Sequence, residues 1–206
     1  SSTDGKTSDQ TLTISGTAEA NSTVEVFIGG SSIGTATTDS SGNWSYNYTG
    51  TTLAEGSYSI TAKATDAAGN QSATSDAFTA VIDTTAPSKP VISAISSDSG
   101  TSSSDGKTND QTLTISGTAE ANSTVEVFID GSSIGTATTD GSGNWSYNHI
   151  STLAEGTYSL TAKAKDAAGN QSDASDTFSA LIDTTAPAIA SASVSGTTLT
   201  LTYTEA

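Results

Sequence analysis

The chain is written twice, and this duplication constrains its fold more than any other feature. Gln10 to Ile28 reads QTLTISGTAEANSTVEVFI, and the same nineteen residues recur from Gln111 to Ile129. Identity resumes at SSIGTATTD (Ser31 and Ser132), SGNWSYN (Ser41 and Ser142), DAAGNQS (Asp66 and Asp166) and IDTTAP (Ile82 and Ile182). The offset falls from 101 to 100 between Tyr48 and Leu53, so one residue is lost in that loop. A period near 100 is too long for a solenoid repeat and fits a tandem pair of sandwich-sized domains.

Within a copy the period is two. Leu12 and Ile14 alternate with Thr, and Val24, Val26 and Ile28 with Glu25 and Phe27. Trp44, Tyr46 and Tyr48 share one face, and Tyr58, Ile60, Ala62 and Ala64 share another. This is the half-buried strand pattern, with Ser and Thr on the wet side. It matters because 33% hydrophobic residues and a net charge of −16 would otherwise point to disorder. Gly, Asn and Asp clusters break the runs at sandwich spacing. Seven strands are expected in copy 2: Val91–Ile95, Thr112–Ser116, Thr124–Ile129, Ile134–Thr138, Asn144–His149, Thr157–Lys165 and Thr177–Ile182. The fold class is therefore all-β, two tandem immunoglobulin-like β-sandwiches in an extended arrangement.

The expected boundaries are 1–87 for the first repeat, 88–187 for the second and 188–206 for the opening strands of a further module. Copy 1 begins at the equivalent of residue 102, so its first strand is expected to be missing and the chain to be a cut from something longer. The joints read Asp83-Thr-Thr-Ala-Pro-Ser-Lys-Pro and Asp183-Thr-Thr-Ala-Pro. Proline fixes φ, so these are short and stiff connections.

Composition excludes several classes of function. Six Lys and no Arg cannot build a phosphate-neutralising patch, so nucleic acid is not a partner. With no Cys there are no disulfides, thiolate metal sites or thiol nucleophiles. No apolar run is long enough to span a bilayer, and no signal peptide is read at the start. His149 is the lone imidazole, and copy 1 carries Tyr48 in its place, which reads as the edge of a core. No Ser has a visible base partner. The chain is expected not to be an enzyme.

The acidic residues carry more information. Taken singly, the Asp of Asp166-Ala-Ala-Gly-Asn starts a turn, Glu55 and Glu155 are turn residues, and Glu25 and Glu126 are solvated. Pooling loops by pole, as seven alternating strands require, brings Asp4, Asp9 and Asp83 of copy 1 to face Glu120, Asp140 and Asp166 of copy 2. At the second joint it gathers Asp98, Asp105, Asp110 and Asp183. Two like charges 4 Å apart cost roughly 4 kcal/mol at an effective dielectric of about 20. A divalent cation removes that cost, and Ca²⁺ accepts six to eight oxygens in flexible geometry. The expected metal ligands are thus Asp4, Asp9, Asp83, Glu120, Asp166, Asp98, Asp105, Asp110 and Asp183, and the expected cofactor is Ca²⁺.

Four stretches carry a family likeness: Thr-Asn-Asp-Gln-Thr-Leu-Thr-Ile-Ser-Gly-Thr-Ala-Glu, Gly-Asn-Trp-Ser-Tyr, Asp-Ala-Ala-Gly-Asn and Ile-Asp-Thr-Thr-Ala-Pro. Together they resemble the tandem bacterial immunoglobulin-like repeats of giant surface adhesins, the biofilm-associated and RTX-type proteins exported by type I secretion. The resemblance covers residues 1–187. It implies an extracellular extender that holds a terminal binding domain away from the cell, with calcium between neighbouring repeats of the same long chain stiffening the rod. That implication carries over to Asp83, Asp183 and the acidic loops named above. The alternatives are an adhesive module that itself binds a glycan or protein, and an accessory domain of a secreted hydrolase.

Overall fold

A computed structural model describes residues 4–99 and 102–204, and every regular element among them is a strand. They form two compact units, built mainly on residues 1–88 and 89–206. The first contains β1 (Lys6–Thr7), β2 (Leu12–Thr17), β3 (Thr23–Ile28), β4 (Ser31–Thr37), β5 (Asn43–Tyr48), β6 (Gly56–Thr65) and β7 (Phe78–Ile82). Its five-stranded sheet has the order β1-β7-β6-β3-β4, and β2 and β5 form a two-stranded sheet. The period-two pattern explains which faces are buried. Val24 and Val26 of β3 lie opposite Ala64 and Ala62 of β6, and with Ile60 and Ala80 they form the core. The alternate residues Thr23 and Ser59 face water.

The second unit repeats this scheme with one more strand in the smaller sheet. It contains β8 (Val91–Ile95), β9 (Lys107–Thr108), β10 (Leu113–Thr118), β11 (Thr124–Ile129), β12 (Ser132–Thr138), β13 (Asn144–His149), β14 (Gly156–Lys165) and β15 (Phe178–Ile182). Its sheets have the orders β12-β11-β14-β15-β9 and β13-β10-β8. The seven strands expected for this repeat are all present, three of them with the expected bounds. The eighth, β9, pairs in parallel with β15 through Leu181↔Lys107 and Ile182↔Thr108. Two residues are too few to show alternation, so sequence periodicity misses it.

Turns follow their residues. The β3–β4 turn has Gly29 and Gly30 at φ 57° and 81°, and the β11–β12 turn has Asp130 and Gly131 at 49° and 79°. Both are two-residue loops with positive φ at both central positions, which match the twist of an antiparallel pair. Asp130 tolerates this, and its Oδ1 accepts a hydrogen bond from the Ser159 amide at 2.9 Å.

The two repeats carry the same aromatic stripe, yet the sandwich expectation of equivalent buried positions for Trp44 and Trp145 fails. Trp145 is 3% exposed, whereas Trp44 is only half-buried. The same contrast separates Leu12 from Leu113 and Ile14 from Ile115, the second of each pair being fully buried. The cause is β8. It lies along β10 in the second repeat, and among the described residues no strand occupies that edge of β2 in the first. Tyr46 and Tyr147 keep one role in both repeats, donating their hydroxyls to the Ile33 and Ile134 carbonyls.

Beyond residue 187, β16 (Ile189–Ser195) and β17 (Thr198–Tyr203) form a separate hairpin whose residues are all exposed. No helix among the described residues is long and apolar enough to cross a membrane.

Candidate functional site

The acidic side chains share one local device. The carboxylates of Asp4, Asp9, Asp83, Asp105, Asp110 and Asp183 each accept a hydrogen bond from the backbone N–H two residues on, at 2.8–3.2 Å. Asp39, Asp66 and Asp140 do the same. An aspartate in this position mimics a backbone turn and fixes the chain's change of direction. Asp166 instead accepts from the Gly169 and Asn170 amides at 2.7 and 2.8 Å, with Asn170 Nδ2 on its other oxygen. The acidic excess is therefore, in large part, a turn-forming vocabulary written with ionised groups.

Hydrogen bonds to the ionised form hold several of these acids below the ordinary carboxylate range. For Asp9 the Thr11 hydroxyl leads, followed by the Thr11 amide. For Asp110 the Thr112 amide leads, followed by its hydroxyl. Asp140 is lowered chiefly by the Asn144 amide. All three carboxylates are charged at neutral pH.

The strands set where the acids of each repeat lie along the chain. In the second repeat, Asp98 and Asp105 lie before β9 and Asp110 and Asp183 after it. Asp98 Oδ2 accepts from the Gly106 amide at 3.0 Å, next to Asp105, while the Asp183 amide donates to the Thr108 carbonyl at 2.9 Å, next to Asp110. The strand β9, extended along β15, thus lies between the Asp98 and Asp105 stretch and Asp110. The first repeat behaves alike: the Asp83 amide donates to Thr7 O at 3.0 Å on the Asp9 side of β1, and Asp4 lies on the other side. Lys107 Nζ stands 4.0 Å from Asp105 and gives that acidic loop a basic neighbour. Glu120 is exposed, and its carbonyl accepts the Thr139 hydroxyl at 2.7 Å. Among the described residues no three His, Cys, Asp or Glu side chains form a group placed to hold a metal ion.

The donor chemistry nevertheless suits a hard cation at one place. Asp98 Oδ1 is buried and has no hydrogen-bond partner among the described residues. An orphaned buried carboxylate oxygen is costly, and Ca²⁺ would satisfy it with oxygen ligands alone. Asp98 would supply the carboxylate there; other side chains, backbone carbonyls and water would have to complete the six to eight oxygens.

Glu55 and Glu155, turn residues by sequence, also bind the linkers. Glu55 Oε2 accepts hydrogen bonds from the hydroxyls of Thr84 and Thr85 at 3.0 and 2.9 Å. Glu155 Oε2 does the same to Thr184 and Thr185, at 3.0 and 2.8 Å. Each glutamate clasps the linker that leaves its own sandwich. The Thr85 hydroxyl, then that of Thr84, lowers the pKa of Glu55; Thr185 and then Thr184 lower that of Glu155. The repeated Leu-Ala-Glu-Gly and Asp-Thr-Thr-Ala-Pro segments were the available signal.

The sequence profile of the bacterial Ig-like domain family matches residues 1–84 and again 85–184. No curated protein sequence matches the chain. Among solved structures, fibronectin(III)-like modules from Clostridium thermocellum are similar at 20% identity and a TM-score of 0.51, covering 86% of this chain and 87% of theirs. A tetra-tandem repeat from the extending region of a large adhesion protein is 25% identical with a TM-score of 0.39, over 88% of this chain and 49% of that one. The BSP domain of a biofilm associated protein is 24% identical with a TM-score of 0.34, over 87% and 29%. The chain thus spans about half of the adhesion-protein structure and less than a third of the biofilm-associated one.

Proposed function

The chain belongs to the bacterial Ig-like domain family, and from that premise we propose that it is a non-enzymatic extender segment of a secreted cell-surface adhesin, supporting adhesion and biofilm formation. The observation that carries this reading is the repeated clasp. Glu55 and Glu155 tie each outgoing Thr-Thr-Ala-Pro linker to the sandwich it leaves. A linker anchored at its root and stiffened by proline carries tension from fold to fold instead of acting as a loose tether. Near-identical tandem copies add length, whereas a unique binding site needs only one copy.

Calcium fits the same reading as a stiffening ligand. The orphaned Asp98 oxygen supports a site at that end of the second repeat, and Asp83 and Asp183, whose amides donate to the Thr7 and Thr108 carbonyls, offer further carboxylates at the linker roots. A cation bound there stabilises the ordered state by mass action. It neutralises like charges that would otherwise repel.

Single-molecule stretching tests the mechanical role. Pulled between its ends, the chain should show two discrete unfolding events. Each should release on the order of 300 Å of contour length, at about 3.5 Å per residue for some 90 residues. A smooth extension without discrete events contradicts the extender reading.

A further inference from the structure

Charge is segregated on this chain. Of its 22 acids only Glu25 and Glu126 lie in strands; the rest occupy turns, loops and linkers. The smaller sheets carry no acid and no lysine. Of the six lysines, all but Lys89 lie in the larger sheets, as Lys6, Lys63, Lys107, Lys163 and Lys165. They face away from the core. Lys63, Lys163 and Lys165 alternate with inward Ala62, Ala64, Ala162 and Ala164. Lys6 and Lys107 are in register with Val81 and Leu181, which alternate with the buried residues of their strands. A chain with a net charge of −16 thus turns one basic flank outward in each repeat.

The same flank carries a ring that the core does not use. Val24 and Val26 fill the core, so Glu25 and Phe27 face outward, and Phe27 is partly exposed. Phe27 lies opposite Ser32 and Thr61, and Glu25 opposite Thr35 and Lys63. Side chains opposite one another on a sheet stand about 5 Å apart and diagonal ones about 7–8 Å, so Phe27 and Lys63 share one patch. Glu25 turns from Lys63: its Oε1 accepts the Ser32 hydroxyl at 2.7 Å, as that of Glu126 accepts Ser133 at 2.6 Å. Among the described residues Lys63, Lys163 and Lys165 make no ion pair. The second repeat, with β8 in place, keeps the whole patch around Phe128 and Lys163, so it does not depend on which strands the smaller sheet has.

We propose that each basic flank binds a carboxylated polysaccharide, a polymer of uronic acid units. The apolar C–H face of a pyranose ring stacks on the Phe27 phenyl, ring hydroxyls meet Ser32, Thr61 and the Glu25 carboxylate, and the sugar carboxylate pairs with the Lys63 ammonium. Charge complementarity selects this occupant. A neutral glycan leaves the ammonium without a partner, and a nucleic-acid duplex brings charge without an exposed ring face. Lysine acts here as a point charge and not as a planar fork. One such patch is weak, but a polymer of many equal units engages equal patches on successive repeats with a gain in avidity. Duplication then serves binding as well as length, and this role is separate from the extender role.

The test titrates the whole chain, in chelator to exclude calcium bridging, with polygalacturonate, neutral galactan and duplex DNA, following 15N spectra. Polygalacturonate should shift the amides of residues 25–28 and 61–63 and of 126–129 and 161–163, leave β2 and β10 unchanged, and weaken as salt rises. Both F27L/F128L and K63Q/K163Q should weaken it by about tenfold or more, the equivalent of one charge-assisted contact. K89Q, whose lysine pairs with Asp176 outside the sheets, should not. Leucine keeps the apolar bulk and removes the ring, and thermal melts check that each variant folds. Absence of binding at low salt overturns the proposal. Equal binding of DNA or of galactan also overturns it, as does unaltered affinity in both double variants. Self-association that shifts the same amides without polysaccharide, seen by sedimentation, assigns the flank to a second copy of the chain and overturns it too.

Discussion

The Glu55 carboxylate accepts the Thr85 hydroxyl at 2.9 Å across thirty residues of sequence, and Glu155 holds Thr185 in the same way at 2.8 Å. The contact joins a loop before β6 to the chain just after β7, two antiparallel neighbours in the larger sheet. A turn glutamate thereby becomes the fastening for the linker.

Removing that fastening should loosen the linker and leave the sandwich. Glu55→Ala should lower the backbone heteronuclear NOE at Thr84 and Thr85 while the β6–β7 amides keep their shifts. Glu55→Gln should give a smaller change, because an amide oxygen still accepts from the hydroxyls although more weakly than a carboxylate. An unchanged NOE in Glu55→Ala contradicts the clasp.

The clasp should also open in acid. Both glutamates have their pKa values lowered in the folded chain by threonine hydroxyls. A depressed carboxylate contributes fully above its unfolded value and loses that contribution as pH falls through the lower folded value. The Thr85 and Thr185 signals should therefore hold through the ordinary glutamate range and change only below it. A midpoint above that range would contradict the hydrogen bonds.

Two tryptophans report the asymmetry between repeats. Trp145 is 3% exposed and Trp44 half-buried. Acrylamide should quench the emission that remains in Trp145→Phe more strongly than that in Trp44→Phe. Equal quenching would mean that the two indoles share one environment.

The same asymmetry governs the glycines. Gly117→Ala forces β8 off its register, since the Val91 carbonyl occupies the space of the new methyl. It should cost the second repeat about 1–3 kcal/mol or more, the range for overpacking. Gly16→Ala has the Trp44 side chain nearest, at 2.9 Å, and should cost the first repeat less. Denaturant unfolding of each variant measures both, and equal losses would remove β8 as the distinguishing element.

The truncation of Ile95 probes the core that β8 completes. Ile95 is 4% exposed and packed against Ile115 across the ladder. Ile95→Ala should destabilise the second repeat by about 2–5 kcal/mol, seen as a lower midpoint for one of two unfolding transitions. A loss under 1 kcal/mol would show that β8 adds little packing.

What the sequence disclosed was whatever repeats at short range. Alternation at Val24/Val26 and Val125/Val127 marks strands because one face must be dry, and the internal identity marks two sandwiches. What it hid was set by distant partners. β9 is two residues long and exists only because β15 runs beside it. The Glu55 clasp depends on a turn and a linker meeting in space. The place of each acid along its loop depends on β9, which lies between Asp105 and Asp110. Trp44 shared its neighbours' pattern with Trp145, but burial depended on a strand outside that pattern.

Small-angle scattering of the whole chain, in calcium, in magnesium and in chelator, tests most directly whether this is a calcium-stiffened extender. Two domains of about 100 residues each have radii of gyration near 13 Å when compact, so changes in maximum dimension report how freely the repeats move. The proposal predicts a longer maximum dimension and a narrower distance distribution in calcium than in chelator, with magnesium close to chelator. Superimposable profiles in all three would contradict it, and would leave the acidic side chains as turn formers alone.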